Sequence, residues 1–355
     1  MSRRWNLVML AAAVVGGAIA GRALFDSDAT ALALRTAVVP VSQTQNSQRY
    51  SYGWPVKPFD RQHPIRGYFG DPRTSFRGLP TLHDLRTGVC VCSYHRGIDI
   101  SAPDGSPVYP VRSGVVRIVD GESVRVRSGG GVAFEYWHIH PSVGVGMHVV
   151  RDKTVLGTIY VGAEHVHLTQ LEDGRAVNPV APGNIGPYAD RTAPRVVAIT
   201  FRSADSQPDL LPEDVHGSVE LVAAAFDTPP IPVPGMWRGL PVSPARVSFH
   251  ITHVPDASTV IAERTVIDAI RTLPGRRLWR TYARGTRMNM ARMGGHRTWY
   301  QPGVYLFKLT RTPFDTRAVR NGVYALTVTA WDTAGNHGSA TQIFSVHNRR
   351  GYFHG

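Results

Sequence analysis

Lysine, cysteine and long apolar runs are all scarce in this chain of 355 residues. Lys57, Lys153 and Lys308 are the only lysines, so nearly all of the 39 basic residues are arginine. The two cysteines, Cys90 and Cys92, exclude a disulfide-stapled secreted scaffold. Their spacing lacks the C-x-x-C pattern of a redox or zinc motif, and a bridge between residues two apart is strained. Two reduced or partly buried thiols are therefore expected. No apolar run of 18 residues occurs beyond the N-terminus, which excludes a multi-span helical membrane protein. The chain has no H-E-x-x-H helix motif and no G-x-S-x-G nucleophile elbow, which argues against the hydrolases built on them. What is present is an ordinary globular balance, 43% hydrophobic and 18% charged, which argues against disorder. The 35 glycines and 26 prolines predict frequent turns and few long helices.

The formal charge is +13, and it is unevenly spread: residues 271–300 hold eight arginines and no acidic residue. A basic surface attracts polyanions. The N-terminus directs that attraction toward the cell envelope. Residues 1–20 combine Arg3 and Arg4, an apolar stretch from Leu7 to Ala20, and small residues at Ala18 and Ala20 before Gly21. That is the layout of a signal peptide. As a helix the stretch spans about 21 Å, short of the roughly 30 Å hydrocarbon core. The expectation is a signal peptide or N-terminal anchor and an exported protein of the cell envelope, periplasm or extracellular space. The partner of the 271–300 segment would be an anionic envelope polymer, and no nucleic-acid role is expected despite its Trp279, Tyr282, Trp299 and Tyr300.

Residues 21–58 read as a polar linker or pro-segment, and 59–182 as a Gly- and Pro-punctuated run of short strands. The strand candidates are Ser106–Val111, Gly114–Val119, Ser123–Arg127, Val132–His138 and Lys153–Val161, rich in Val, Ile, Tyr and Phe. Gly129, Gly130 and Gly131 read as a hairpin turn, since no Lys-Ser/Thr follows to make a phosphate loop. A boundary falls near Pro182–Ala193. Residues 193–349 offer Arg195–Phe201, Ser218–Phe226, Arg246–His253, Val304–Thr310, Gly322–Trp331 and Ala340–His347, a strand count suiting an immunoglobulin-like β-sandwich of unknown function. Residues 255–300 fit that pattern poorly. A short helix near Thr265–Thr272 and a long basic loop are expected there. Asp332 and Asn336 read as an Asx turn.

The chemistry concentrates in a few histidines and one aspartate. In a strand, Tyr94-His95-Arg96-Gly97-Ile98-Asp99-Ile100 places His95, Gly97 and Asp99 on one face, with only a glycine between imidazole and carboxylate. The same parity puts His165 and His167 together. Tyr136-Trp137-His138-Ile139-His140 adds another pair at a strand end. Two imidazoles, a carboxylate and an open fourth position describe a catalytic zinc site. His140 reads as a strand-end or groove residue. His63, His83 and His148 read as exposed turn residues, and Tyr68 and Phe69 as core and groove wall.

These motifs resemble the lysostaphin-type (LytM-type) zinc endopeptidases of peptidoglycan. HRGID at 95–99, YWHI at 136–139 and HVH at 165–167 match that family's H-x-x-x-D, Tyr-x-His and H-x-H. The flanking GYFGDPR at 67–73, APDGSPVYPVRSGVV at 102–116, VLGTI at 155–159 and LEDGRAVNP at 171–179 agree with it. The resemblance spans about residues 60 to 182. It implies an antiparallel β-sheet peptidase domain, zinc ligands His95, Asp99 and His167, and His138 and His165 as non-ligand catalytic histidines. Trp137 and the Leu168-Thr169-Gln170 continuation depart from the family pattern and bear on substrate preference. The expected chain is mainly β, a LytM-type peptidase domain followed by the sandwich. The expected function is zinc-dependent hydrolysis of peptidoglycan stem peptides or cross-links. The alternative is a catalytically idle wall-binding protein or regulator of other wall hydrolases.

Overall fold

The computed structural model describes residues 50–74, 92–204, 209–275, 277–294 and 297–348, with the backbone of Arg35–Val39. The signal or anchor at 1–20, Cys90 and His83 lie outside the described residues, as do parts of the linker and of the 271–300 segment. Among the described residues the structure is mainly β, and the ladders that build it are antiparallel. Helical structure is limited to three single 3-10 turns, and none is long and apolar enough to cross a membrane. The frequent Gly and Pro shorten most runs, and the longest run free of both among the described residues, 256–273, is rich in β-branched Thr, Val and Ile.

Two hydrophobic cores form within the compact unit that begins at Leu32. The first sits under an eight-stranded sheet. Its strands run in the order His148–Val149, Gly114–Val119, Ser123–Gly129, Val132–Trp137, His165–Glu172, Ile98–Ser101 and Ile65–Gly67, with Arg175–Val177 paired to His165–Glu172. Alternation drives the burial. Ile98, Ile100, Val124, Val126, Phe134, Tyr136, Val166 and Leu168 are all fully buried, each worth about 1.5–3 kcal/mol of transfer free energy. Their neighbours of opposite parity, Asp99, His165 and His167 among them, are thereby committed to the other face. A smaller sheet of Ile139–Pro141, Gly157–Ile159 and Pro107–Val108 adjoins it.

The second core lies between two five-stranded sheets. One joins Arg35–Val39, His337–Val346, Gly322–Trp331, Arg246–His253 and Thr259–Asp268. The other joins Asp209–Leu210, Arg195–Ser203, Ser218–Phe226 and Leu306–Lys308, with Phe314–Asp315 beside them. Phe201, Phe307, Phe249, Leu326 and Phe344 meet between them. This packing is compatible with the sandwich expected from strand count. Arg35–Val39, in the stretch expected as linker or pro-segment, pairs as an edge strand with Thr341 to His337.

Three expectations are corrected. The helix near Thr265–Thr272 is absent: Thr259–Asp268 is a strand paired with Arg246–His253. Its register shifts at three points, so the bulges hide the period-two pattern that would have revealed it. Cys92 is disulfide-bonded and not a thiol. His63 is half-buried, its ring 5.5 Å from that of Trp54 and its Nε2 2.9 Å from the Pro58 carbonyl, whereas His148 is exposed as expected. The three glycines at 129–131 all have positive φ, from 57° to 84°, and form the expected turn.

The two halves of the chain interlock beside the histidines. Asp71 Oδ2 accepts from Tyr68 N at 2.8 Å, and its Oδ1 accepts from Ser243 N at 3.0 Å. Tyr94 packs in the second core, and its hydroxyl lies 2.7 Å from Thr281 Oγ1. Asn178 donates to the carbonyls of Ala269 and Ile270.

Candidate metal centre

The central sheet sets the site by register. His167 on His165–Glu172 stands directly opposite Asp99 on Ile98–Ser101, a pairing that brings side chains of one face together. His95 precedes that strand. The strand begins only at Ile98, so the His95–Gly97 stretch is a turn-like entrance and not the continuous strand expected. The ring still reaches the same point. His95 Nε2 is 2.8 Å from His167 Nδ1 and 3.1 Å from Asp99 Oδ1, and His167 Nδ1 is 2.9 Å from Asp99 Oδ1. Gly97 is required for this approach: an added Cβ would meet the Leu168 carbonyl and lie 2.8 Å from His167 Nε2. Gly67 does the same from the other side, where a Cβ would stand 2.5 Å from Asp99 Oδ2.

Hydrogen bonds fix which atoms carry lone pairs. His95 Nδ1 lies 2.8 Å from the Tyr68 carbonyl, which can only accept, so Nδ1 is protonated and Nε2 turns a lone pair toward the cluster. Asp99 Oδ1 is also an acceptor. Two acceptors 3.1 Å apart need a cation or a shared proton between them. Thr169 Oγ1, 2.8 Å from His167 Nε2, serves either tautomer of that ring. Burial, and then the Arg73 guanidinium, brings His95 down to a pKa of about 4, so the imidazole is neutral. Burial opposes ionisation of Asp99, but His95, Arg73 and His165 together hold its carboxyl well below the usual range. Arg73 Nη2 donates to Asp99 Oδ2 at 2.5 Å and leaves Oδ1 for the cluster. Two imidazoles and one oriented carboxylate form a donor set that fits Zn²⁺.

The other two histidines flank this triangle. His138 and His165 have ring centres 4.5 Å apart, and His165 Nε2 is 3.6 Å from Asp99 Oδ1. His138 Nδ1 is 2.9 Å from the Tyr160 hydroxyl. Burial lowers both pKa values, that of His165 to about 3. His138 has φ of +67°, in the left-handed region that costs an L-residue about 1–2 kcal/mol. It is the break between Val132–Trp137 and Ile139–Pro141, and the break turns its ring into the cluster.

All five residues singled out in the sequence line one cavity of about 570 Å³. His140 does not line it; its exposed ring stands 5.9 Å from that of Tyr160. Sequence reasoning missed Arg73, Thr169 and Tyr160. Thr169 shares the strand parity of His167 and was readable by that rule. Arg73 lies within the quoted GYFGDPR, but nothing local couples it to Asp99. It also missed Trp237, Met288, Asn289 and Tyr305, which line the same cavity.

Residues 93–179 match the family model described as Peptidase family M23. This stretch is an M23 (LytM-type) peptidase domain. Solved structures that resemble part of the chain include the following three. A zinc-containing peptidase from Vibrio cholerae is 24% identical, with a TM-score of 0.28 over 37% of this chain and 39% of that one. Pseudoalterin, described as an M23 metalloprotease from the deep sea, is 18% identical, with a TM-score of 0.27 over 41% and 82%. The SpoIIQ–SpoIIIAH pore-forming complex gives 19%, 0.28, 38% and 90%. No curated protein matches the chain. The M23 match makes the domain one of a metallopeptidase family, and its 87 residues contain His95, Asp99, His138, His165 and His167.

A second acidic cluster lies apart from the M23 match. Asp190, Asp227 and Asp332 are buried with carboxylate oxygens within 4.8 Å of one another. Each has local donors: Thr192 for Asp190, Thr228 N for Asp227, and the backbone and side chain of Asn336, four residues on, for Asp332. Burial raises the pKa of all three, that of Asp332 to about 7.

Proposed function

We propose that the chain is an exported zinc metalloendopeptidase that hydrolyses peptide bonds in peptidoglycan stem peptides or cross-links. The observation that carries this reading is the mutual approach of His95 Nε2, Asp99 Oδ1 and His167 Nδ1 to 2.8–3.1 Å, with two further neutral histidines beside them. In this reading His95, Asp99 and His167 hold the zinc ion. When bound, zinc supplies Lewis acidity toward a scissile carbonyl and makes water more acidic. The chain's own groups do the rest. Neutral His138 or His165 accepts a proton from attacking water and returns it to the leaving amine. The other donates a hydrogen bond to the oxygen that gains charge. Tyr160 orients His138, and Ala163 O, 2.6 Å from His165 Nδ1, orients His165. Export follows from the N-terminal pattern, and attraction to anionic envelope polymers from the arginines of 271–300.

The test is zinc-dependent release of fragments from purified peptidoglycan, followed by mass spectrometry. His95→Ala or Asp99→Ala should abolish release and zinc content while leaving the circular dichroism spectrum intact. Undiminished release by either variant sinks the assignment.

A further inference from the structure

A second groove, of about 730 Å³, opens on the C-terminal half, a volume within the range of small-ligand sites. Among the described residues it shares no lining residue with the cavity before the histidines, and it lies outside the 271–300 segment. Its walls come from both sheets of the second core. Thr259–Asp268 is the edge strand of one sheet, and the turn 309–313 joins Leu306–Lys308 to Phe314–Asp315 in the other. Ile261, Leu309 and Phe314, which pack at the second core, give the groove an apolar lining together with Pro313. Thr265, Thr310 and Thr312 add hydroxyls to it. Thr310 Oγ1 is buried in the wall with no hydrogen-bond partner among the described residues. Leaving such a group unpaired is unfavourable, and a bound acceptor relieves it.

The charge of the groove is unbalanced. Arg264 and Arg311 line it and are exposed. Neither guanidinium has a hydrogen bond or ion pair among the described residues. Asp315, the one acidic residue among the described lining residues, is already taken: Arg317 donates to it from Nε at 2.9 Å and from Nη2 at 3.1 Å. Two uncompensated guanidinia attract an anion, and each can grip a carboxylate through two N–H groups. An apolar lining set with hydroxyls suits a ring that has C–H faces and a polar rim, the surface of a sugar. A phosphodiester chain would meet the charge and leave the apolar lining uncovered. We infer that the groove binds an anionic saccharide, with its carboxylate held by Arg264 and Arg311 and its ring faces against Ile261 and Pro313. This site is separate from the metal centre and gives the C-terminal half a binding role of its own, whether or not the centre hydrolyses peptides.

The probe is tetragalacturonic acid, compared with its methyl ester, which keeps the rings and loses the charge. Each is titrated calorimetrically into the full chain. The wild type should bind the acid about tenfold more tightly than the ester at low salt, and the difference should vanish near about 0.5 M NaCl. Arg264→Gln and Arg311→Gln should each weaken binding of the acid about threefold to fivefold, and the double variant should bring the acid-to-ester ratio to near one. Both side chains are exposed, so the unfolding midpoints should stay at the wild-type value. Arg280→Gln, exposed within 271–300 and outside the groove, should leave the ratio unchanged. Equal binding of acid and ester by the wild type, or no binding of the acid at about 1 mM, overturns the proposal. So does a preference that survives in the double variant, or one that falls as far in Arg280→Gln. An acidic peptide or a phosphodiester oligomer of equal charge that binds more tightly through the same two arginines assigns the groove to that class and overturns the saccharide. Zinc and turnover enter none of these readings, so failure here is distinct from failure of the peptidase reading.

Discussion

His138 gives a test of backbone strain separable from chemistry. Its φ of +67° is unfavourable for any residue with a Cβ. Comparing His138→Ala with His138→Gly removes the imidazole, its bond to Tyr160 and its ring contact with His165 in both. The pair then differs only in the Cβ. At an ordinary strand position glycine is the worse residue by about 0.5–1 kcal/mol, because its unfolded chain is freer. At a left-handed position alanine pays about 1–2 kcal/mol that glycine does not. The difference predicts that His138→Gly is more stable than His138→Ala by about 0.5–1 kcal/mol, a reversal of the usual order. Denaturant unfolding of the two variants, with equal m-values, measures it. Both should be inactive on peptidoglycan. An alanine variant as stable as the glycine variant, or more so, would mean that this backbone relaxes to an ordinary conformation. The kink would then not be what aims His138.

Gly97→Ala should lower zinc affinity by more than about tenfold, because the Leu168 carbonyl it meets is backbone and cannot swing away. Competition with a chelator reads this, and wild-type affinity would refute it. Arg73→Met should lower zinc affinity by about 10–100-fold through loss of the bond that orients Asp99, with a smaller effect on folding. The same titration checks it. Burial pushes the Asp332 carboxyl up from its ordinary pKa of 3.8 to about 7. Its protonated form is favoured in the fold, so its contribution is full below pH 3.8 and is lost as pH rises through about 7. His95 and His165, lowered by burial, act in the opposite sense, losing stability as pH falls below 6.5. The stability of wild type minus that of Asp332→Asn isolates the first effect. It should grow by about 2.6 kcal/mol from pH 8 to pH 5, and a flat difference would contradict the burial argument.

Strands rich in β-branched and aromatic residues between turn signals were legible in the sequence. Gly114–Val119, Ser218–Phe226, Arg246–His253 and Gly322–Trp331 lie where expected, and the strand expected at Ser123–Arg127 runs on to Gly129. Thr259–Asp268 was not legible, because three register shifts scramble its pattern against its neighbour. His165 and His167 share a face by period alone, whereas His95 reaches Asp99 from a turn and not along a strand.

Composition, turn signals and local periodicity therefore determined that this chain is mainly β and that His165 and His167 share a strand face. Periodicity is a property of neighbours in the chain, and these follow from it. Tertiary structure decided which candidates meet. The antiparallel register sets His167 opposite Asp99, and Arg73 reaches Asp99 from 26 residues away. Trp237 is brought over Arg66 from 171 positions further along. Contacts between residues so far apart depend on how two cores pack together, and no local pattern encodes that.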